Sequence, residues 1–173
     1  MNEIIKDILL IVPICVAAFS AVWGVITYSR QQRNVQLQNL ISVFQRFSNN
    51  DDFIAIFKLG DDCYVKLEQG LDQNDIPQLQ KLEEIPAELK FKYLALLEEV
   101  AILAKRSAVD KENALHLFKF HFFYVYGNPP ISNSFWANVG GGDAEREEEG
   151  WDYQNDFAKE CINRINASIQ NPQ

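Results

Sequence analysis

From Ile8 to Tyr28 the chain runs 21 residues without a charge, "ILLIVPICVAAFSAVWGVITY", and no polar stripe recurs in it at helical period. A helix rises about 1.5 Å per residue, so such a run reaches roughly 32 Å, close to the ~30 Å hydrocarbon layer of a bilayer. Trp23 and Tyr28 sit toward one end, where amphipathic rings favour the membrane interface, and Arg30 and Arg33 follow at once. The pattern predicts an uncleaved transmembrane helix. Two other readings share its composition. "AFS" at residues 18–20 resembles the cleavage site of a secretory signal, and a helix buried in a soluble core is equally apolar. The signal reading is weakened by an N-terminal region with only Lys6, offset by Glu3 and Asp7, and by an apolar run that continues past the supposed cut through "AVWGVITY". Two arginines after the span against one lysine before it place the C-terminal side in the cytoplasm and the N-terminus outside, a single pass through the cell inner membrane.

Within the span Ala17, Ala21 and Gly24 form a small-residue seam, and Ser20 stands four residues before Gly24. Seams of this kind let two helices approach closely. Pro13 lies near the outer end, where a kink is tolerated if local partners take up the freed carbonyl.

Beyond the span the pattern becomes amphipathic. Leu37, Leu40, Ile41, Phe44 and Phe47 recur at i, i+3, i+4, i+7, and no Gly or Pro separates them from the apolar run, so one helix is expected from about Ile5 to Phe47. Asn50 or Asp51 caps a new helix, which Gly60 with Asp61 and Asp62 is expected to interrupt or bend. "QGLDQNDIPQ" reads as a turn, with Asn74 or Asp75 capping a short helix that starts near Pro77. Pro86 opens the longest helix past the span, lined by Leu89, Tyr93, Leu96, Leu97, Val100, Leu103 and Ala104. Asp110 caps "KENALHLFKFHFFYVYG", apolar or aromatic nearly all round and therefore assigned to the bundle centre. Its "FKFHF" alternates as a strand would, but no second convincing strand exists to pair with it. After an acidic Gly-rich loop over residues 138–150, Trp151 opens a last helix with Phe157, Ala158, Cys161, Ile162, Ile165 and Ile169 at core spacing. The expected fold is all-α: a transmembrane helix and short tail over residues 1–29, continuing into a cytoplasmic helical bundle of about five to seven helices over residues 30–173.

Charge and chemistry narrow the function. The chain carries -8 formally, and its densest basic spots, Arg30/Arg33 and Lys105/Arg106, fall short of a nucleic-acid footprint, so nucleic acid is excluded as a partner. Cys15, Cys63 and Cys161 have no paired spacing and read as reduced structural thiols. His116 and His121 sit five apart, about 140° around a helix, so they share no face, and Glu112 one turn earlier is a candidate partner for His116. No nucleophile elbow, P-loop or zinc-protease motif occurs, and neither enzyme activity, metal nor cofactor is expected. Glu98 and Glu99 interrupt the apolar "YLALLEEVAILA" with no Lys or Arg three or four residues away. They read as buried structural charges needing a tertiary partner, with Arg46 and Lys58 the candidates.

The segments "SRQQRNVQLQNLISVFQRF" and "YLALLEEVAILAKRSAVDKENALHLF", behind an N-terminal span, resemble a family of small bacterial single-pass membrane proteins with a cytoplasmic all-helical domain of unknown function. The resemblance implies a membrane-tethered helical domain and carries over no catalytic residue. The expected role is an interaction or scaffold module that holds itself or a protein partner at the cytoplasmic face of the bilayer. The alternative is a stress or phage-defence effector whose span oligomerises and perturbs the membrane.

Overall fold

The computed structural model describes residues 3–139 and 152–170, with side chains over residues 13–139 and 156–167. Among the described residues the protein is all-α, with seven α-helices and no strand. Helix α1, Glu3–Ser48, is continuous over 46 residues, because only Pro13 and Gly24 punctuate it and neither ends it. No helix is long and apolar enough, among the described residues, to cross a membrane. The part of the expected span whose side chains are described, residues 13–28, is 16 residues long, or roughly 24 Å of helix. Residues 8–12, which complete the uncharged run, lie outside the described side chains.

The second half of α1 enters the core through Leu40, Val43 and Phe47. The expected stripe was broader, and Leu37, Ile41 and Phe44 remain at the surface. The helix is turned by two polar contacts. Gln36 Nε2 donates to Ser107 O at 2.8 Å and Asn39 Nδ2 to Ala108 O at 2.9 Å, so the 36–40–43–47 arc faces inward.

Asn50 caps α2, Asp51–Glu68, its side-chain oxygen accepting from Asp52 N and Phe53 N. Gly60 does not break this helix. It is buried, and a Cβ there would stand 2.8 Å from Tyr124 Cδ2, so the glycine serves close helix approach instead. Asp72 caps a 3-10 turn at Gln73–Asp75 that contains Asn74 and Asp75. Helix α3, Pro77–Glu83, starts on its proline as expected, but its N-cap is Ile76, with no side-chain cap bond, rather than Asn74 or Asp75. Helix α4, Ala87–Lys105, ends where Ser107 takes a φ of 54° and Ala108 N bonds back to Leu103 O at 2.9 Å, a left-handed stop.

Asp110 caps α5, Lys111–Phe122, by accepting from Asn113 N at 2.9 Å. The helix then widens into a π turn, Phe123–Gly127. A π turn leaves ladder carbonyls to be satisfied elsewhere. Val125 O takes two donors, Ser132 Oγ at 2.7 Å and Trp136 Nε1 at 3.0 Å. Both come from α6, Pro129–Trp136, a helix that the local pattern does not announce, since Asn128-Pro129-Pro130 directly after Gly127 has the composition of a helix stop. Here Asn128 caps it and the prolines occupy its first turn, where a missing N–H costs nothing. Helix α7 spans Asp152–Gln170 and buries Phe157, Ala158, Cys161 and Ile165, while Ile162 is half-buried. The core gathers around α5, with Leu115, Phe118 and Phe122 fully enclosed. Burial of a side chain of that size stabilises by about 1.5–3 kcal/mol. Leu117 and Phe120 nevertheless remain exposed, so α5 is not enclosed on every side.

Candidate functional site

Along residues 13–28 the apolar side chains of α1 point outward in every direction. Phe19 is 69% exposed, Trp23 61% and Val25 66%. Ala17, Ser20, Ala21 and Gly24 are exposed with them, and nothing lies within 4 Å of a Cβ placed on Gly24. The two hydroxyls of this stretch are satisfied within the helix: Ser20 Oγ donates to Val16 O and Thr27 Oγ1 to Trp23 O, each at 2.8 Å.

Glu98 and Glu99 are half-exposed, at the edge of α4's buried face. Arg46 pairs with Glu99 at 2.5 Å, their side chains 49% and 40% exposed. The buried charge of α4 is Lys90 instead, with no exposed surface. Its Nζ donates to Glu83 O at 3.1 Å and sits 5.7 Å from the Phe135 ring centroid. Burial lowers its pKa, opposed by the Glu83 carboxylate. Around the same corner Ser134 Oγ donates to Glu83 Oε1 at 3.1 Å and Asn138 Nδ2 to Glu83 O at 2.7 Å, so Lys90 and Glu83 clamp α3, α4 and α6 together. Its place at i−3 from Tyr93 on α4's apolar face was the one available clue.

Lys58 pairs with neither glutamate. It stands at the mouth of a cleft of about 610 Å³ between the end of α1, α2 and α5. Phe44, Phe47, Phe53, Ile54, Phe57 and Leu117 form its apolar walls, and Lys58, Asp61 and His116 its polar border. His121 reaches the same cleft from beneath. The two histidines therefore meet one space although they lie far apart around α5, because the α1–α2 corner folds over that side of the helix. His116 is exposed and His121 buried. His121 Nδ1 lies 2.7 Å from the Tyr93 hydroxyl, and its ring lies 4.3 Å from that of Phe57 and 4.8 Å from that of Phe47, centroid to centroid. Burial pushes the imidazole pKa down to about 3, so it is neutral near pH 7. Burial also raises the Tyr93 phenol above its ordinary range. Asp61 accepts from the Tyr124 hydroxyl at 2.7 Å.

Glu112 bonds Arg164 rather than His116, through two contacts of 2.8 and 2.9 Å. Glu160 joins this surface network through Arg164 at 3.1 Å and Lys111 at 2.6 Å. Hydrogen bonds from Arg164 hold the Glu112 carboxyl below its usual range, and those from Lys111 and Arg164 do the same for Glu160. Cys63 and Cys161 are buried free thiols, pushed up to about 11 and about 12 by desolvation, assisted by Asp62 and Glu160 respectively. Neither is a nucleophile at neutral pH. No group of three metal-ligating side chains occurs among the described residues. Most of the acidic loop expected over residues 138–150 lies outside the described residues, as does Trp151; Val139, at its start, is buried.

No protein-family model, curated protein or solved structure matches the chain, so the functional reading rests on these residues.

Proposed function

We propose that the protein is a membrane-anchored helical interaction module, which holds copies of itself or a protein partner at the cytoplasmic face of the inner membrane. The observation that carries this reading is the outward display of Ile14, Val16, Phe19, Val22, Trp23 and Val25 on a helix whose other half is built into a packed core. Each such side chain gains about 1.5–3 kcal/mol on leaving water, so the six together favour an apolar surround by on the order of 10 kcal/mol. Ile8–Val12 extend the same run in the sequence, and Arg30 and Arg33 suit the headgroup layer on the cytoplasmic side. Hydroxyls that bond back to their own helix are tolerated in lipid, and Ser20 and Thr27 are of that kind.

Two surfaces support association. The seam of Ala17, Ser20, Ala21 and Gly24 suits close helix packing within the bilayer. Outside it, Leu37, Ile41 and Phe44 of α1 leave an exposed apolar row next to the core-facing arc. The test is alkaline carbonate extraction followed by crosslinking in native membranes. The chain should stay with the membrane and crosslink to itself or to a defined protein. Recovery in the soluble fraction, or a mature chain that begins near Ala21, sinks the reading. The same seam supports a second reading, a membrane effector that oligomerises through its span. That reading requires depolarisation when residues 1–35 are expressed, and a silent span ends it.

A further inference from the structure

We infer that the cleft between the α1–α2 corner and α5 binds a small aromatic monocarboxylate, its ring among the phenylalanines and a carboxylate oxygen on His121 Nε2. The cleft's volume, about 610 Å³, is that of sites that enclose a small organic molecule. Its walls are almost wholly apolar and mostly aromatic, which suits a flat ring meeting the edges and faces of Phe44, Phe47, Phe53 and Phe57.

The polar end follows from His121. This side chain is 9% exposed. Tyr93, 1% exposed, has His121 Nδ1 as its hydroxyl's partner, so the phenol donates and Nδ1 accepts. The proton of the neutral imidazole is then on Nε2, at the ring edge away from Tyr93. Nε2 has no protein acceptor among the described residues. A buried donor left without a partner costs about 1–3 kcal/mol, which an acceptor oxygen in the cleft recovers.

Charge at the mouth selects an anion. Lys58 is exposed there and has no carboxylate within ion-pair distance among the described residues. Asp61, the other charged group of the border, accepts from the Tyr124 hydroxyl and keeps its charge, so the preference for an anion rests on Lys58 together with the His121 N–H donor. A neutral ligand would leave Lys58 unused, and a cation would meet Lys58 and an imidazole N–H donor. This inference goes beyond the membrane reading: the cleft involves no residue of the apolar run and shares only Phe44 with the exposed row of α1.

The test titrates full-length protein in detergent micelles with 2-naphthoate, by calorimetry and by NMR of 15N-labelled histidine, with protein-free micelles as reference. Saturable binding should shift the His121 Nε2 resonance. His121→Phe should weaken binding at least tenfold, and Lys58→Gln, on an exposed side chain that leaves folding intact, two- to fivefold. The neutral isostere 2-acetylnaphthalene should bind more weakly than naphthoate to the wild type and equally to Lys58→Gln. No saturation up to about 5 mM naphthoate overturns the proposal, leaving the cleft a water-filled one. Affinity indifferent to both substitutions, or a ketone that binds as well as the acid, overturns it too.

Discussion

Acidification from pH 7 to pH 5 should destabilise the protein through one side chain, His121. An unfolded chain presents this imidazole to water with an ordinary pKa of 6.5, whereas burial in the fold depresses it to about 3. Between those two values the unfolded state binds a proton that the folded state refuses, so stability rises with pH across the window and is lost as pH falls below about 6.5. With about 1.4 kcal/mol per pH unit, partial protonation near 6.5 brings the loss to about 2 kcal/mol between pH 7 and pH 5. Below about pH 4.5 Glu112 and Glu160, whose carboxyls are held low by Arg164 and Lys111, add losses of the same sign. The interval above pH 5 therefore isolates the histidine. Urea unfolding in detergent, followed by circular dichroism, measures the effect. His121→Leu should be less stable at every pH, since the Tyr93 hydroxyl loses its partner at a cost of about 1–3 kcal/mol, but its stability should be flat over the same interval. A wild type equally stable at pH 7 and pH 5, or a variant that loses as much as the wild type, would refute the reasoning.

Gly60→Ala should lower the denaturation midpoint. The new methyl meets the root of the Tyr124 ring at 2.8 and 3.0 Å, and overpacking of about 1–3 kcal/mol exceeds the ~1 kcal/mol gained in helix propensity. A raised midpoint would show that α2 and the π turn are free to move apart. Lys90→Met keeps the volume but loses the bond to Glu83 O and should cost about 0.5–1.5 kcal/mol, while Lys90→Ala should cost about 2–5 kcal/mol through its added cavity. Equal losses in the two variants would contradict this. A double-mutant cycle on Arg46 and Glu99 should give a coupling below about 1 kcal/mol, since both side chains are nearly half-exposed; a larger value would mark the pair as more than a surface contact. In native membranes a membrane-impermeant maleimide should leave all three cysteines unmodified, Cys63 and Cys161 through burial and Cys15 through lipid, with full labelling after denaturation. Rapid native labelling of Cys15 would count against the span.

What the sequence by itself determined is local. The continuity of α1 follows from an unbroken helical pattern with one proline and one glycine inside it, and the starts of α2 and α5 follow from Asn50 and Asp110, each able to cap its own first turn. Periods and caps act within a turn or two, so they are legible without knowing the neighbours. Tertiary structure decided everything that depends on which surfaces meet. Leu37 and Leu40 are equally apolar, yet Gln36 and Asn39 bond the turn after α4, some seventy residues away, and thereby choose which one faces the core. Gly60 reads as a breaker until Tyr124 lies against it, and "NPP" reads as a stop until α6 supplies donors to the π turn. Lys90 is buried, where Glu98 and Glu99 were expected to be, because the α3–α6 corner closes over its end of α4. The cleft has the same origin. Lys58 and His121 have no local relation, and only the fold of α1 and α2 across α5 brings a surface cation and a buried imidazole to the same space, because packing joins residues by geometry rather than by distance along the chain.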